Sequence, residues 1–365
     1  MTLTQRAPGH DLPASFAPKQ RLGFNTRVSF NDETGPAAGL RDGIALFRAA
    51  ERLGYQSGWA YQRHFDHYLS SPLPFFAAVG QVTERITLGT AVLPMRYQDP
   101  ILLAEAAGTT DLLVDGRLEL ALATGAMALW DPVFGAVDTD ARTEGQRRLR
   151  RFLAAVGGEA LHTVDGPGQG APVGTEIRVT PHSPGLRSRV RQGVASIGSA
   201  VTAAELGLGL ITGTVLHDVD AGETFSEYQA RVIEAYRSTW RRERGTEPPP
   251  VAVAASILPG TSAGLRDAYA AYDLQRRTEG MAASRPQGAL TPTVTADLPE
   301  GVRISPVFHG TPDSVAEAVL ADPGLAIADE VVVFLPPAFE LAQNVRVLTD
   351  LAETVAPALG WSPAT

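Results

Sequence analysis

The sequence predicts an α/β protein built as a single (β/α)8 barrel. A strand-then-helix alternation recurs eight times along the chain, and the first four units fall within residues 1–125, spaced about 30 residues apart. Composition does not break between the halves, as two unlike domains would require. An open doubly wound sheet is the competing arrangement, but no GxGxxG follows the first strand.

Residues 21–28 (RLGFNTRV) read as the first strand, and 37–53 as a helix with Ile44, Phe47 and Leu53 near helical spacing and Gly54 as its stop. Residues 57–61 and 74–83 form the second unit. The third pairs 85–92 (RITLGTAV) with a helix over 100–113, where Pro100 suits a first turn. Residues 116–125 make the fourth strand, followed by an Arg-rich helix over 139–156 and a Gly/Pro-rich exposed loop over 163–176. Further strands are predicted at 194–197, 208–212, 251–258 and 330–335, with helices at 199–206, 225–240, 261–277, 312–320 and 341–356. Residues 278–305 are polar, carry three prolines and read as an insertion serving as a lid. Residues 1–20 read as a polar tail outside the barrel.

Composition narrows the chemistry. The chain has 365 residues, 44% of them hydrophobic, and no Cys, which removes disulfides, thiolate metal sites and cysteine nucleophiles. Lys19, in the tail, is the sole lysine, so a Schiff-base or P-loop lysine is not expected. A net charge of −9 argues against nucleic acid as a partner. No apolar run reaches the length of a membrane span and the opening lacks the apolar stretch of an export signal, so a cytoplasmic protein is expected.

Barrel active sites sit where strands end and βα loops begin. That rule selects Tyr61 to His67 after the second strand, Thr90, Ala91 and Val92 on the third, Thr124 and Gly125 on the fourth, and Ser196 to Ser199 on the fifth. His64 suits a general base or hydrogen-bond donor. His64 and His67 with Asp66 could instead ligate a metal, or simply order the loop. Ser196, Gly198 and Ser199 precede a helix whose first amides could hold a phosphate, although a serine there is equally an ordinary N-cap. Arg63 and Arg96 could clamp an anion or serve as ion-pair arginines. Trp59 and Phe75 read as core. Met127, Trp130 and Phe134 within 126–138 could wall an apolar substrate pocket.

Three stretches carry a family resemblance. Residues 54–125, from GYQSGWAYQRHFD through RITLGTAVLPMRYQDP to RLELALATG, resemble the bacterial luciferase-like flavin-dependent monooxygenases. VASIGSAVTAAELGLGL is similar to their phosphate-loop strand and helix, and HGTPDSVAEAV with ADEVVVF and APALGW to their last unit.

The resemblance implies a luciferase-like TIM barrel that uses reduced FMN and O2 to oxygenate a small organic substrate through a flavin peroxide. It further implies a separate flavin reductase as partner and a homodimer formed through the helices after strands two and three, where Phe75, Phe76 and Leu102 lie. His64 matches the second position of the family's His pair, and Arg63 replaces the first. Thr90, Ala91 and Val92 would lie against the flavin, with a cis Ala91–Val92 peptide, and Ser196, Gly198 and Ser199 would bind its phosphate. Where the luciferase strand four ends in Cys-Arg, this chain has Ala123-Thr124, leaving Thr124 as the hydrogen-bond donor. Related barrels use F420 for hydride transfer, which is the alternative cofactor. A non-catalytic flavin binder and a metallohydrolase on His64, Asp66 and His67 are further alternatives.

Overall fold

The structure, a computed structural model, describes residues 16–19, 21–125, 130–135, 140–168, 170–279 and 298–364. Among the described residues, eight strands pair in parallel in sequence order and close on themselves. They are β1 (Arg21–Thr26), β2 (Ser57–Ala60), β3 (Thr87–Pro94), β4 (Leu118–Ala123), β5 (Val190–Val194), β6 (Gly209–Thr212), β7 (Ala252–Pro259) and β8 (Glu330–Phe334). Closure comes from β8 pairing with β1, with Phe24 opposite Val333. The predicted barrel is therefore present.

The surrounding helices are α1 (Gly35–Arg52), α2 (Pro72–Gly80), α3 (Pro100–Leu113), α4 (Ala141–Val156), α5 (Ile197–Glu205), α6 (Phe225–Arg244), α7 (Ala263–Glu279), α8 (Pro312–Ala321) and α9 (Leu341–Asp350). Their ends follow the local chemistry. Asp99 accepts from the amides of Ile101 and Leu102 at the start of α3, and Thr224 and Glu227 form a capping box on α6. No described helix is long and apolar enough to cross a membrane.

The barrel interior is layered. At its base Arg21, Glu119, Arg191 and Glu330 form a buried ion cluster, with Arg191 Nε 2.6 Å from Glu119. Above it Trp59 donates from its indole to Ser57 Oγ at 2.9 Å and packs with Ala121, Ile211, Ala254 and Val332. Gly89 makes room for that indole, since a Cβ there would lie 2.2 Å from Trp59 Cε3. Phe75 is buried between the barrel and its helices, so both aromatics are core as expected.

Two expectations are corrected and two gain detail. The fifth strand runs Val190–Val194 rather than 194–197: Arg191 points into the charged base and interrupts the apolar run that marks the other strands. Residues 16–19 are not an outlying tail. Phe16 is buried, the Lys19 amide donates to Leu359, and Lys19, only 2% exposed, donates its ammonium to the carbonyls of Ala326 and Ala328. The loop 163–176 is closed by a small antiparallel pairing of His162–Thr163 with Glu176–Ile177. The insertion at 278–305 lies mostly outside the described residues, but its end is ordered by backbone pairing: Arg303–Ile304 runs antiparallel to Val215–Leu216. Val307–Gly310 then pairs in parallel with Ser256–Pro259 of β7.

Candidate active site at the C-terminal mouth

The strand ends enclose a cavity of about 340 Å³, within the usual range for small-molecule sites. Ala91, Val92, Ala123, Ile211 and Ala254 supply apolar wall, while Asn25, Arg27 and Tyr61 bring polar groups to it. The Ala91–Val92 peptide is cis, as the resemblance implies, and the β3–β4 register shifts between Ala91 and Leu93, so Val92 drops out of the ladder. Gly193 on β5 faces Val92 so closely that a Cβ there would sit 2.5 Å from its Cγ1. Small residues thus keep the cavity open.

Two buried polar atoms at the wall, Asn25 Oδ1 and Arg27 Nε, have no hydrogen-bond partner among the described residues. Leaving such groups unmade costs about 1–3 kcal/mol each, which makes them candidates for ligand contact. The Arg27 guanidinium stands 4.9 Å from the Tyr61 ring centroid, 5.2 Å from Tyr68 and 5.7 Å from Phe334.

His64 follows Tyr61 by three residues on the β2–α2 loop. Its ring meets Phe134 edge-on at 4.9 Å and Tyr97 at 6.1 Å, and Tyr97 stacks on Phe134 at 4.7 Å. Trp130 joins this aromatic group through Phe65 at 5.3 Å. Burial lowers the His64 pKa below its ordinary value, and Nε2 has no hydrogen-bond partner among the described residues. A neutral imidazole with one open ring nitrogen is thereby held beside the mouth. Met127 lies outside the described residues.

The other predicted residues take varied places. Arg63 is ion-paired with Asp66 at 3.1 Å and donates to the Tyr61 hydroxyl at 3.2 Å, so it braces a wall residue. Arg96 is held by the Asp131 carboxylate, which also accepts from Tyr97 at 3.0 Å and ties the Asp131–Phe134 turn over His64. His67 pairs with Asp32 at 3.0 Å. Among the described residues no three His, Asp or Glu side chains converge as metal ligands. The Thr90 hydroxyl donates to the Ala121 carbonyl at 2.9 Å and is buried, so it supports β3 and does not line the cavity. Thr124 follows β4 and lies against α4, where Gly145 allows a close approach to its backbone.

Ser196 is the N-cap of α5. Its hydroxyl accepts from the Ser199 amide, and Ser199 Oγ accepts from the Ser196 amide at 3.0 Å. The two readings of this motif therefore coexist: the serines form a capping box, and Gly198, exposed with nothing within 4 Å of an added Cβ, leaves the helix end approachable.

The model of the luciferase-like monooxygenase family matches residues 21–325. The chain belongs to that family. Curated relatives align over short stretches, spanning about a third of each chain. The oxygenase component of the flavin-dependent trigonelline monooxygenase of Acinetobacter baylyi is 31% identical over 31% of this chain and 31% of its own length. An F420-dependent glucose-6-phosphate dehydrogenase of Intrasporangium calvum is 35% identical over 29% of this chain and 33% of its own.

Among solved structures, the oxygenating constituent of 3,6-diketocamphane monooxygenase from Pseudomonas putida, in complex with FMN, superposes with a TM-score of 0.68 at 15% identity, covering 93% of this chain and 98% of that one. The F420-dependent tetrahydromethanopterin reductase of Methanopyrus kandleri gives 0.63 at 14%, covering 93% and 99%. At these identities the likeness shows the shared fold.

In this member of the luciferase-like family, Asn25, Arg27 and Phe334 line the cavity, although the sequence motifs did not single them out. Their signal was available, because each lies at the C-terminal end of a barrel strand, where the loop rule also applies.

Proposed function

We propose that this protein is the oxygenating component of a flavin-dependent monooxygenase, taking reduced FMN from a separate reductase and acting with O2 on a small organic substrate. The observation that carries this reading is the cavity. It joins an apolar wall at Ala91 and Val92 to the unpaired polar atoms of Asn25 and Arg27, and adjoins the approachable N-terminus of α5 through Val194 and Ala195. A flat heterocycle with an anionic tail matches that donor set. Asn25 would meet a polar edge of the ring, and the first amides of α5 with Gly198 would meet the phosphate. Bound there in its reduced form, the flavin would supply the electrons that activate oxygen.

The protein's own residues would do the rest. Tyr97 and Phe134 would shield the His64 ring they pack against. The neutral imidazole would hold or pass a proton at Nε2, and Arg63 would fix Tyr61 in the wall. Exposed Leu102, Leu112 and Leu113 on α3 support a dimer face there, whereas Phe75 and Phe76 are internal.

F420-dependent hydride transfer is the second reading, favoured by the relatives named for that cofactor. Anaerobic titration with reduced FMN and with reduced F420, followed by mixing with oxygen, separates the two. Tight FMN binding and oxidation slower than that of the free reduced flavin support the monooxygenase. Binding of F420 alone sinks it.

A further inference from the structure

The arginines that the sequence suggested as an anion clamp, Arg63 and Arg96, are each matched by a carboxylate, Asp66 and Asp131. Two others at the mouth are not. Arg27, on the cavity wall, is surrounded by the rings of Tyr61, Tyr68 and Phe334, and forms no ion pair among the described residues. Arg276, on α7, is 5% exposed and donates to two neutral hydroxyls, Ser256 Oγ at 3.3 Å and Ser305 Oγ at 3.1 Å. Its neighbour Asp273 is engaged by Arg277 at 2.9 Å and His309 at 3.3 Å.

Arg276 borders a neighbouring cavity and is linked to the first through Ser305, which accepts from Arg276 at 3.1 Å and donates its amide to the carbonyl of Thr214 on the first cavity's wall at 2.9 Å. Ala252 and Ala254 face the barrel interior from β7, and Ser256 follows at the period of two that keeps it on that side. Burial draws the Arg276 pKa below its usual value; Tyr272 and Asp273 pull it up, and the charge of Arg27 is a smaller downward cause. Ala255 of β7 pairs with Val333 of β8, so Ser256 follows on one strand as Phe334 follows on the other, and the Phe334 ring lies 5.7 Å from the Arg27 guanidinium. The neighbouring cavity, of about 630 Å³, is also lined by Arg303 and Ser305, and its Ile304 pairs with Val215 of the first. Two desolvated like charges around adjoining cavities are unfavourable unless an anion offsets them.

We propose that this rim is the substrate's anion site, where Arg27 and Arg276 together hold a carboxylate, sulfonate or phosphate group on the molecule to be oxidised. Buried guanidiniums favour such planar or tetrahedral oxyanions through paired N–H donors. The site is separate from the phosphate position at α5. In an eight-stranded barrel β5 lies opposite β1, so Arg27 faces the N-terminus of α5 across the mouth. That the bound molecule is a substrate rests on the function proposed above.

The test uses the full chain and calorimetric titration with benzoate, benzenesulfonate and phenyl phosphate, with benzyl alcohol as the neutral control. At least one anion is expected to bind where benzyl alcohol does not, weakening tenfold or more in Arg276→Gln and in Arg27→Gln, with part of the affinity restored in Arg276→Lys. FMN and riboflavin titrations of the same variants identify the source of the anion. An unchanged preference for FMN over riboflavin supports a substrate site. Loss of that preference in Arg276→Gln would give these arginines to the cofactor's phosphate and overturn the proposal. Equal binding of anions and benzyl alcohol by the wild type also overturns it. If the wild type binds no flavin yet binds the anions through these arginines, the monooxygenase reading fails and the anion site stands.

Discussion

His64 illustrates how one side chain gains a role from its surroundings. Packed against Phe134 and Tyr97, it has its charged form disfavoured by burial, which lowers its pKa. Replacing it with Gln keeps a hydrogen-bonding group but removes the titrating nitrogen. Product formation per O2 consumed should fall by about 100-fold, the scale of one lost acid–base group, while reduced FMN binds within threefold of wild type. A loss confined to FMN affinity would instead make His64 a binding residue. Gly193 offers an independent check on the cavity. Gly193→Ala puts a methyl group against Val92, so flavin affinity should fall at least tenfold with the barrel still folded by circular dichroism.

At the scale of elements, the βα units differ in how openly their sequences announce them. The third is plain, because β3 is branched and apolar and Asp99-Pro100 opens α3. The fifth is concealed, because β5 turns Arg191 inward and hands its Ser196 to the cap of α5. That cap is open to measurement. Ser196→Ala removes the side-chain acceptor for the Ser199 amide and should cost about 1 kcal/mol in urea unfolding. If α5 also receives the FMN phosphate, FMN should lose its preference over riboflavin in the same variant. The turn Asp131–Phe134 depends on a single acid. Asp131→Asn weakens its hold on Arg96 and Tyr97 and should expose His64, read as faster oxidation of bound reduced flavin.

Across the whole molecule, the two ends of the barrel use charge in opposite ways. The base is neutralised internally: burial alone would raise the Glu119 carboxyl, but Arg191 and Arg21 more than offset it and hold it below its usual value. Arg191→Met would strand Glu119 and Glu330 with Arg21 and should destabilise the fold by about 3–5 kcal/mol. Lys19 at the same end is depressed to about 8, chiefly by burial. Between pH 8 and 10.5 the unfolded chain therefore holds a proton that the folded chain lacks, so stability rises with pH in that window. Relative to Lys19→Met, the wild type should gain on the order of 2 kcal/mol across it, measured by urea unfolding. A flat difference would show that the lysine stays charged when folded.

What the sequence determined by itself was the architecture and the stations along it. Periodicity marked the barrel strands within a few residues apart from the fifth, and the block 54–125 pointed to Ala91 and Val92, both of which form the cavity wall. Local patterns encode such features because a strand or a cap is settled by neighbours in the chain. What only the tertiary structure decided was which charges are matched. Arg63, Arg96, Arg27 and Arg276 look alike in one dimension. Arg63 pairs with Asp66 three residues on, Arg96 with Asp131 thirty-five positions away, and Arg27 and Arg276 form no ion pair among the described residues. Lys19 likewise changed from tail residue to buried cation because its partners, Ala326 and Ala328, lie some three hundred positions away in the chain. Long-range burial and pairing set the electrostatics of a site, and spacing in the sequence carries no measure of either.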